Sequence, residues 1–415
     1  MAAINTRSLR HGVELVLVGG ITSAVNFSFL VYAGRKLGPR EYADFWAAMS
    51  LVYFGTMFLN PLAPFASHVA AAAVARGDAG AVSSFRRSIA RFTSLLALPF
   101  VAIAALASRP LASFFHLRSA FVVAVAAAAI ASYAFLAAMR GIFQGLGRFR
   151  DYNANTLVEC GVRIGAAIAL LGYAPTASTA VSIYLTALLV SIVLLLGSAG
   201  PRLVPTSAKP AAAVPRTLLD DLRATGIPMF VLLTSIAVFQ NADSLAVKRW
   251  LPVTDAAAYS AAATLARTFT ALCVPLWVLL VPSVASERDA RHGVSIGIRI
   301  CGAFIALAVV PLIMFRALSV PIYTMLYGRT FVNAAPLLVP LSGVVILTNV
   351  SLLLAQTLVG IARTRFLAVV AASALVEIVA LSLYHQSVSQ IIALLYIVHI
   401  TLVLFLGGTL ARAAR

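Results

Sequence analysis

GIPMFVLLTSIAVFQNADSLAVKRWLPVTDAAAYSAAATLARTFTALCVPLWVLLVPS, residues 226–283, decides the fold. It reads as two apolar helices joined by a short polar corner, Lys248 to Asp255. At 1.5 Å per residue each helix is long enough to cross a hydrocarbon layer of roughly 30 Å. Shifted back by 214 residues, the stretch falls on residues 12–69. Leu251 then meets Leu37, Asp255 meets Glu41, Tyr259 meets Phe45 and Thr264 meets Ser50. Pro275 meets Pro61, and Leu follows in both copies. The offset is about half of the 415 residues, so the chain reads as two copies of one unit, an organisation common in transporters. Ala and Leu match freely in apolar sequence; the paired proline and the paired corner acid are the specific part.

Composition sets the class. Hydrophobic residues make up 61% of the chain and charged residues 11%, against roughly 25% charged in a soluble domain. This is the balance of an integral membrane protein. The formal charge of +18 does not point to nucleic acid, because the basic residues are scattered among short loops between apolar runs. Cys160, Cys273 and Cys301 lie in apolar segments with no CxxC spacing, so neither a disulfide framework nor a metal site is expected. No P-loop, HExxH or acidic metal cluster appears, so no nucleotide, metal or other cofactor is expected, and no enzyme active site. The apolar run from Gly12 is long enough to span and lacks a cleavage site, which reads as a first span rather than a removable signal.

Apolar periodicity predicts an all-α chain of about twelve transmembrane helices in two pseudo-symmetric six-helix lobes. The expected spans are 12–33, 43–65, 89–108, 119–139, 156–174 and 177–198, then 226–247, 257–282, 296–316, 335–358, 366–384 and 389–410. The domain reading is an N-terminal lobe over 1–198, a linker over 199–225 and a C-terminal lobe over 226–415. Pro201, Pro205, Pro210 and Pro215 bar a continuous helix through that linker. Most of the arginines outside the spans fall in loops on one side if the N-terminus is cytoplasmic, including Arg86, Arg87, Arg140, Arg148, Arg216, Arg223, Arg363 and Arg365. The positive-inside rule then puts both ends in the cytoplasm. Two halves of six spans enter from the same side and share an axis along the membrane normal, with a substrate path between them.

Polar residues inside spans are the candidates for function, because charge is costly there. Arg267 lies about eleven residues into its span, roughly 16 Å deep. Ser260, Thr264 and Arg267 share a stripe that suits a water-lined cavity, where a guanidinium can fork an anionic oxygen pair. The competing role for Arg267 is an interhelical bond to a carbonyl or an acid. Asn241 and Asp243 point some 160° apart on the preceding helix, so only one of them can face a cavity fully. Glu159 and Arg163, four residues apart, read as a self-neutralised helix pair. Glu377 has no charged neighbour on its own helix and occupies the position of Arg163 in the repeat; it is a candidate for proton or cation coupling, as is Asp243. His399 reads as a packing residue. Asn26 and Asn60 are further cavity candidates, and Asn60-Pro61, Pro64, Pro275 and Pro282 are expected to break their helices. Arg148 and Arg150 after the fourth span, and Arg363 and Arg365 after the tenth, are placed to meet lipid head groups.

Three motifs carry a resemblance. Gly34-Arg-Lys-Leu-Gly-Pro-Arg-Glu-Tyr42 resembles the ARxLGPxEYG corner of polysaccharide-export flippases. Phe143-Gln-Gly-Leu-Gly-Arg-Phe149 resembles their QGxxRF turn. Asn241-Ala-Asp243 followed by Tyr259-Ser-Ala-Ala262 resembles their NxDxxxL…GxYxxA stretch. In this order they are similar to the Wzx-type O-antigen and exopolysaccharide flippases of the multidrug/oligosaccharidyl-lipid/polysaccharide (MOP) exporter superfamily. The resemblance implies two six-helix lobes forming a V, with a cavity lined chiefly by helices 1, 2, 7 and 8. It implies movement of an undecaprenyl-pyrophosphate-linked oligosaccharide from the cytoplasmic to the periplasmic leaflet of a bacterial inner membrane, by alternating access. A monomer is implied, driven by H+ or Na+ or by the downstream pathway, and working beside a polysaccharide polymerase. Arg267 matches the cationic cavity residues by position. Two of the family's glycines are Ala43 and Ala258 here, and helices 1 and 2 lack a mid-membrane arginine, unlike the lipid II branch. The alternatives are an ion-coupled multidrug or cation antiporter, favoured by Asp243 and Glu377, and a polytopic glycosyltransferase or polymerase, suggested by Glu41 and Asp44.

Overall fold

The computed structural model describes residues 6–77, 79–198, 227–285, 287, 289–361 and 365–414. The linker expected over 199–225, and Arg363, lie outside the described residues. The described residues are 90% helical and hold no strand, so this is an all-α membrane fold. In order, the helices are α1 (Thr6–Leu59), α2 (Leu62–Ala75), α3 (Ala79–Leu106), α4 (Ser108–Phe114), α5 (Ala120–Gly145), α6 (Phe149–Leu170) and α7 (Ala177–Ser198). Then follow α8 (Ile227–Trp250), α9 (Val253–Ala266), α10 (Thr268–Ala285), α11 (Ala290–Leu326), a 3₁₀ turn (Arg329–Ala334), α12 (Ala335–Gly360), α13 (Leu367–Leu383) and α14 (Val388–Ala413).

Eight stretches among the described residues are long and apolar enough to cross a membrane. One of them, Leu17–Ala75, holds the first two expected spans. The remaining spans are α6, made more polar by Asn, Glu and Arg, the interrupted pair α9–α10, and α13, which is 17 residues long. Together they give the twelve expected crossings.

The chain divides into two compact units. One comprises Met1–Lys36 and Leu51–Thr225; the other comprises Leu37–Ser50 and Gly226–Arg415. In the first, α5 is the centre and packs on α2, α3 and α7, while α6 packs on α7. Its alanines, including Ala126, Ala127, Ala129, Ala137 and Ala138, are buried, as small residues that admit close helix contact should be. In the second unit α12 takes the same position, packing on α10, α11 and α14, while α13 packs on α8. The fourth span of each half is therefore its hub.

Two expectations about helix breaks come out differently. The corner after the first span is a kink inside one long helix. Gly38 alone leaves the helical region, at φ 71° and ψ 172°, a backbone that glycine adopts without a Cβ clash. Pro39 follows, at the start of a new helical turn where its missing N–H costs nothing. The eighth span breaks at Arg267, not at Pro275 or Pro282, and α10 runs through both prolines. The second span does break at Asn60-Pro61, as expected, whereas Pro64 lies inside α2.

Close packing in the first unit makes a specific prediction. A Cβ on Gly141 would overlap the backbone carbonyl of Ala63, which cannot rotate away. Gly141→Ala is expected to cost about 1–3 kcal/mol through overpacking. Gly165, with nothing within 4 Å of an added Cβ, is the control. Gly165→Ala is expected to be neutral or stabilising by up to about 1 kcal/mol. Fluorescence-detected size exclusion after a heat ramp should rank Gly141→Ala below wild type and Gly165→Ala at or above it.

Candidate functional site

Residues 37–50 of α1 pack into the second unit and build its most polar interior. Tyr42 Oη lies 2.7 Å from Thr264 Oγ1 and 3.4 Å from Tyr327 Oη. Trp46 Nε1 donates to Ser244 Oγ at 3.2 Å. Lys248 Nζ lies 2.6 Å from Asp44 Oδ1, with both side chains about 95% buried. Asp44 was one of the acids that suggested sugar transfer; its carboxylate is committed to this ion pair. The aromatic rings of Tyr42, Phe45, Tyr327 and Phe331 close around the segment. The sequence held one signal for the pair: Lys248 is one of only three lysines, and it continues the heptad-spaced stripe of Thr234 and Asn241.

Arg267 sits at the break between α9 and α10 and is half-buried. Its Nη2 donates to the Gln240 carbonyl and lies 3.4 Å from Ser244 Oγ. The guanidinium lies over the Trp46 ring, 4.7 Å from its centroid, a cation–π geometry. The interhelical carbonyl bond foreseen as its competing role is therefore present. The rest of its stripe is packed inside the unit. Ser260 is buried and donates to Ala256 O at 2.6 Å; Thr264 is buried against Tyr42. Asn241 is also buried, its Nδ2 on Ala237 O at 3.0 Å and its Oδ1 without a partner.

The second unit also gathers its acids. Asp243 Oδ2 accepts from Tyr259 Oη at 2.6 Å, and Asp243 Oδ1 has no hydrogen bond. Glu377 is fully buried, neither oxygen has a hydrogen-bond donor, and Asp243 acts on it electrostatically. His399, equally buried, brings Nε2 to 3.6 Å from Glu377 Oε2 and 3.1 Å from Thr348 Oγ1. Glu377 is alone on its helix but not in the fold, because α14 and α8 supply His399 and Asp243. Among the described residues no three His, Cys, Asp or Glu side chains converge as a metal-ligand set.

The first unit holds the opposite charge. Glu159 pairs with Arg163, as the sequence suggested, and also with Arg140, whose Nη2 is 2.8 Å from Glu159 Oε2. Arg163 Nη1 donates to Asn26 Oδ1 at 2.7 Å. The pair is therefore a triad with a surplus cation, an arrangement invisible to i, i+4 spacing because Arg140 comes from another helix. Asn60 is exposed and accepts from Tyr133 Oη at 2.9 Å. At the turn after α5, Arg148 pairs with Asp151 at 2.6 Å and lies over the Phe143 ring, while Arg150 and Arg365 are exposed.

Residues 8–286 match the model of the family described as polysaccharide biosynthesis protein. The chain belongs to that family. No curated relative matches it. The fold is similar to a multidrug resistance MATE family transporter of the MOP superfamily in its inward-facing conformation, at TM-score 0.76 and 12% identity over 94% of this chain and 95% of that one. It is also similar to the lipid II flippase MurJ in an inward closed conformation, at TM-score 0.67 and 11% identity, covering 95% and 90%. MATE in the straight conformation matches at TM-score 0.64 and 13% identity, covering 98% and 96%. Family member and MOP-type fold therefore coincide with the resemblance seen in the motifs.

The buried Asp44–Lys248 pair gives the test of this region. Removing one partner strands a charge, so Asp44→Asn or Lys248→Met alone is expected to destabilise by about 3–5 kcal/mol. The double variant Asp44→Asn/Lys248→Met should recover most of that loss. Thermal melts of detergent-solubilised protein in a double-mutant cycle read the coupling directly; additive losses would mean that the pair is not a unit.

Proposed function

We propose that this family member is an inner-membrane flippase. It moves polyprenyl-pyrophosphate-linked oligosaccharide repeat units from the cytoplasmic to the periplasmic leaflet by alternating access. The observation that carries the reading is the family match over residues 8–286 on a chain whose described residues are almost entirely membrane helix. Polysaccharide synthesis on a lipid carrier needs a step that carries a charged head group across hydrocarbon, and this chain supplies helices for that step. In this reading both termini are cytoplasmic, and the protein works as a monomer beside the polymerase machinery. Arg148, Arg150, Arg363 and Arg365 meet lipid phosphate at the cytoplasmic turns. Arg267 offers its remaining donors to the substrate, while Thr264, Ser260 and Asn241, buried and bonded within the second unit, support its surroundings; in the first unit Asn26 and Asn60 are the polar contacts proposed.

Asp243 and Glu377 are the coupling pair in this proposal. A buried carboxylate without a donor is tolerated only with a proton or a cation. We read the coupling ion as a proton, which a buried carboxylate without a donor can take up directly. The same acids favour the second reading, an ion-coupled cation antiporter. Against it stands the surplus cation in the first unit, which would repel an organic cation.

The test is restoration of surface glycan in a bacterial strain lacking its own O-antigen flippase, at matched membrane levels. Wild type is expected to restore it, and Glu377→Gln and Asp243→Asn to reduce it at least tenfold. Arg267→Ala is expected to reduce it as well, with partial recovery in Arg267→Lys. Drug resistance conferred by wild type without any glycan rescue would decide for the antiporter.

A further inference from the structure

The triad in the first unit contains more positive charge than its surroundings answer. Two guanidiniums, Arg140 and Arg163, share the single carboxylate of Glu159. The groups that act electrostatically on Arg163 are Glu159, Tyr184, Tyr53 and Cys160, and none of the others is a carboxylate. The other polar partners are neutral: Asn155 Oδ1 accepts from Arg140 Nε at 2.9 Å, and Asn26 Oδ1 accepts from Arg163 Nη1. The Tyr184 ring stacks under Arg163, 4.4 Å from the guanidinium carbon. One net cation is thus held deep within the spans, where an unanswered charge is expensive. Arg163 is 4% exposed and its Nε is buried without a hydrogen-bond partner. Arg163 is already fixed by Glu159, Asn26 and Tyr184, so it cannot turn away to satisfy that donor.

The cluster is not sealed. Asn26 and Tyr133 are partly exposed, the Arg140 side chain is 13% exposed, and Asn60, bonded to Tyr133, is exposed. Polar atoms at the edge of a membrane helix are tolerated where they meet water or protein and not acyl chains. A fixed pair of guanidiniums sharing one carboxylate, with an unpartnered Nε on Arg163 and a polar rim, suits an oxyanion.

We propose that Arg140, Arg163 and Asn26 form an anion site for a phosphoryl group of the transported lipid, with Glu159 as the positioning residue that spaces the two guanidiniums. This rests on the flippase reading for the identity of the anion. It is distinct from Arg267, which lies in the other unit. Glu159 weakens the site by half-neutralising it, so the site binds and releases; a cluster of two bare arginines would retain the anion.

That role of Glu159 gives the test an unusual sign. Full-length protein in nanodiscs is titrated with undecaprenyl pyrophosphate, undecaprenyl phosphate and free pyrophosphate, with binding read by intrinsic fluorescence. Glu159→Gln adds a net positive charge and should tighten the lipid pyrophosphate at least threefold. Arg140→Gln cancels the surplus and should weaken it at least tenfold. Arg140→Gln/Glu159→Gln restores the surplus and should return to within threefold of wild type, and Arg140→Lys should stay near wild type. Thermal melts establish that each variant is folded. A purely structural triad would make both single variants less stable and leave the affinity of the folded protein unchanged, which overturns the proposal. Displacement by free pyrophosphate in the same order assigns the site to the phosphoryl group alone; the order seen only with the lipid assigns it to the head group in its membrane setting. If wild type binds free pyrophosphate in this charge order but no polyprenyl form, the anion site stands and the flippase reading falls. If it binds the lipid with no charge order, the flippase reading stands and this site falls.

Discussion

Hydrocarbon offers no hydrogen bonds, so every charge placed among these helices has to be answered by the helices themselves. That constraint explains where the chain puts its few charged residues. Lys248 is buried because Asp44 is opposite it. Arg267 sits where a helix break lets it reach the Gln240 carbonyl and the Trp46 face. Glu159 lies between two arginines. Glu377 has only His399 and the nearby Asp243 for company, and no donor for either oxygen. The departures from full answering, one surplus cation and one undonated carboxylate, are therefore the informative positions. A chain selected only for stability would replace both with apolar residues, which pack as well at no electrostatic cost.

These two departures fall at matching places in the repeat. Arg163 and Glu377 are 214 residues apart, the same offset that aligns the two corner acids and the two prolines. Each lies on the fifth span of its half, α6 and α13. Each is met by an aromatic or heteroaromatic ring from the sixth span, Tyr184 for Arg163 and His399 for Glu377. One scaffold position has been given opposite charge in the two copies. The repeat thus sets a buried cation in one unit and a buried carboxylate in the other, at equivalent interior positions.

The fold was legible because it depends on pattern. Apolar runs of about 20 residues, a repeat offset and flanking arginines are properties of sequence over distance, and all twelve spans follow from them. The candidate residues were legible one at a time, because a charge in an apolar run stands out whatever it touches. What stayed hidden was which charge meets which. Arg140 was read as the end of a span and a positive-inside anchor, yet it reaches Glu159, 19 residues on and on another helix. Asp44 was read as a loop acid, because the corner at Gly38-Pro39 looks like a loop when the helix in fact resumes at once. Neither pairing has a local signature, since both depend on side chains brought together by packing.

The eighth span breaks at its arginine and not at its prolines. Proline removes one backbone bond, and in a membrane the freed carbonyl needs another partner or the helix must adjust. Pro275 and Pro282 were therefore expected to interrupt the eighth span, yet α10 passes through both. The span is interrupted instead at Arg267, where the turn still keeps its backbone bond from Arg267 N to Ala263 O at 3.0 Å. What the turn gains is side-chain reach: Arg267 bonds Gln240 O and stacks on Trp46. Trp46 in turn donates to Ser244, one turn before Lys248, which holds Asp44. The helix break, the cation–π contact and the buried ion pair thus form one chain of contacts from the end of α9 through α8 to the segment 37–50. The polar residues of the second unit are held in place by that chain, and Arg267 contributes to it whether or not its remaining donors also meet substrate.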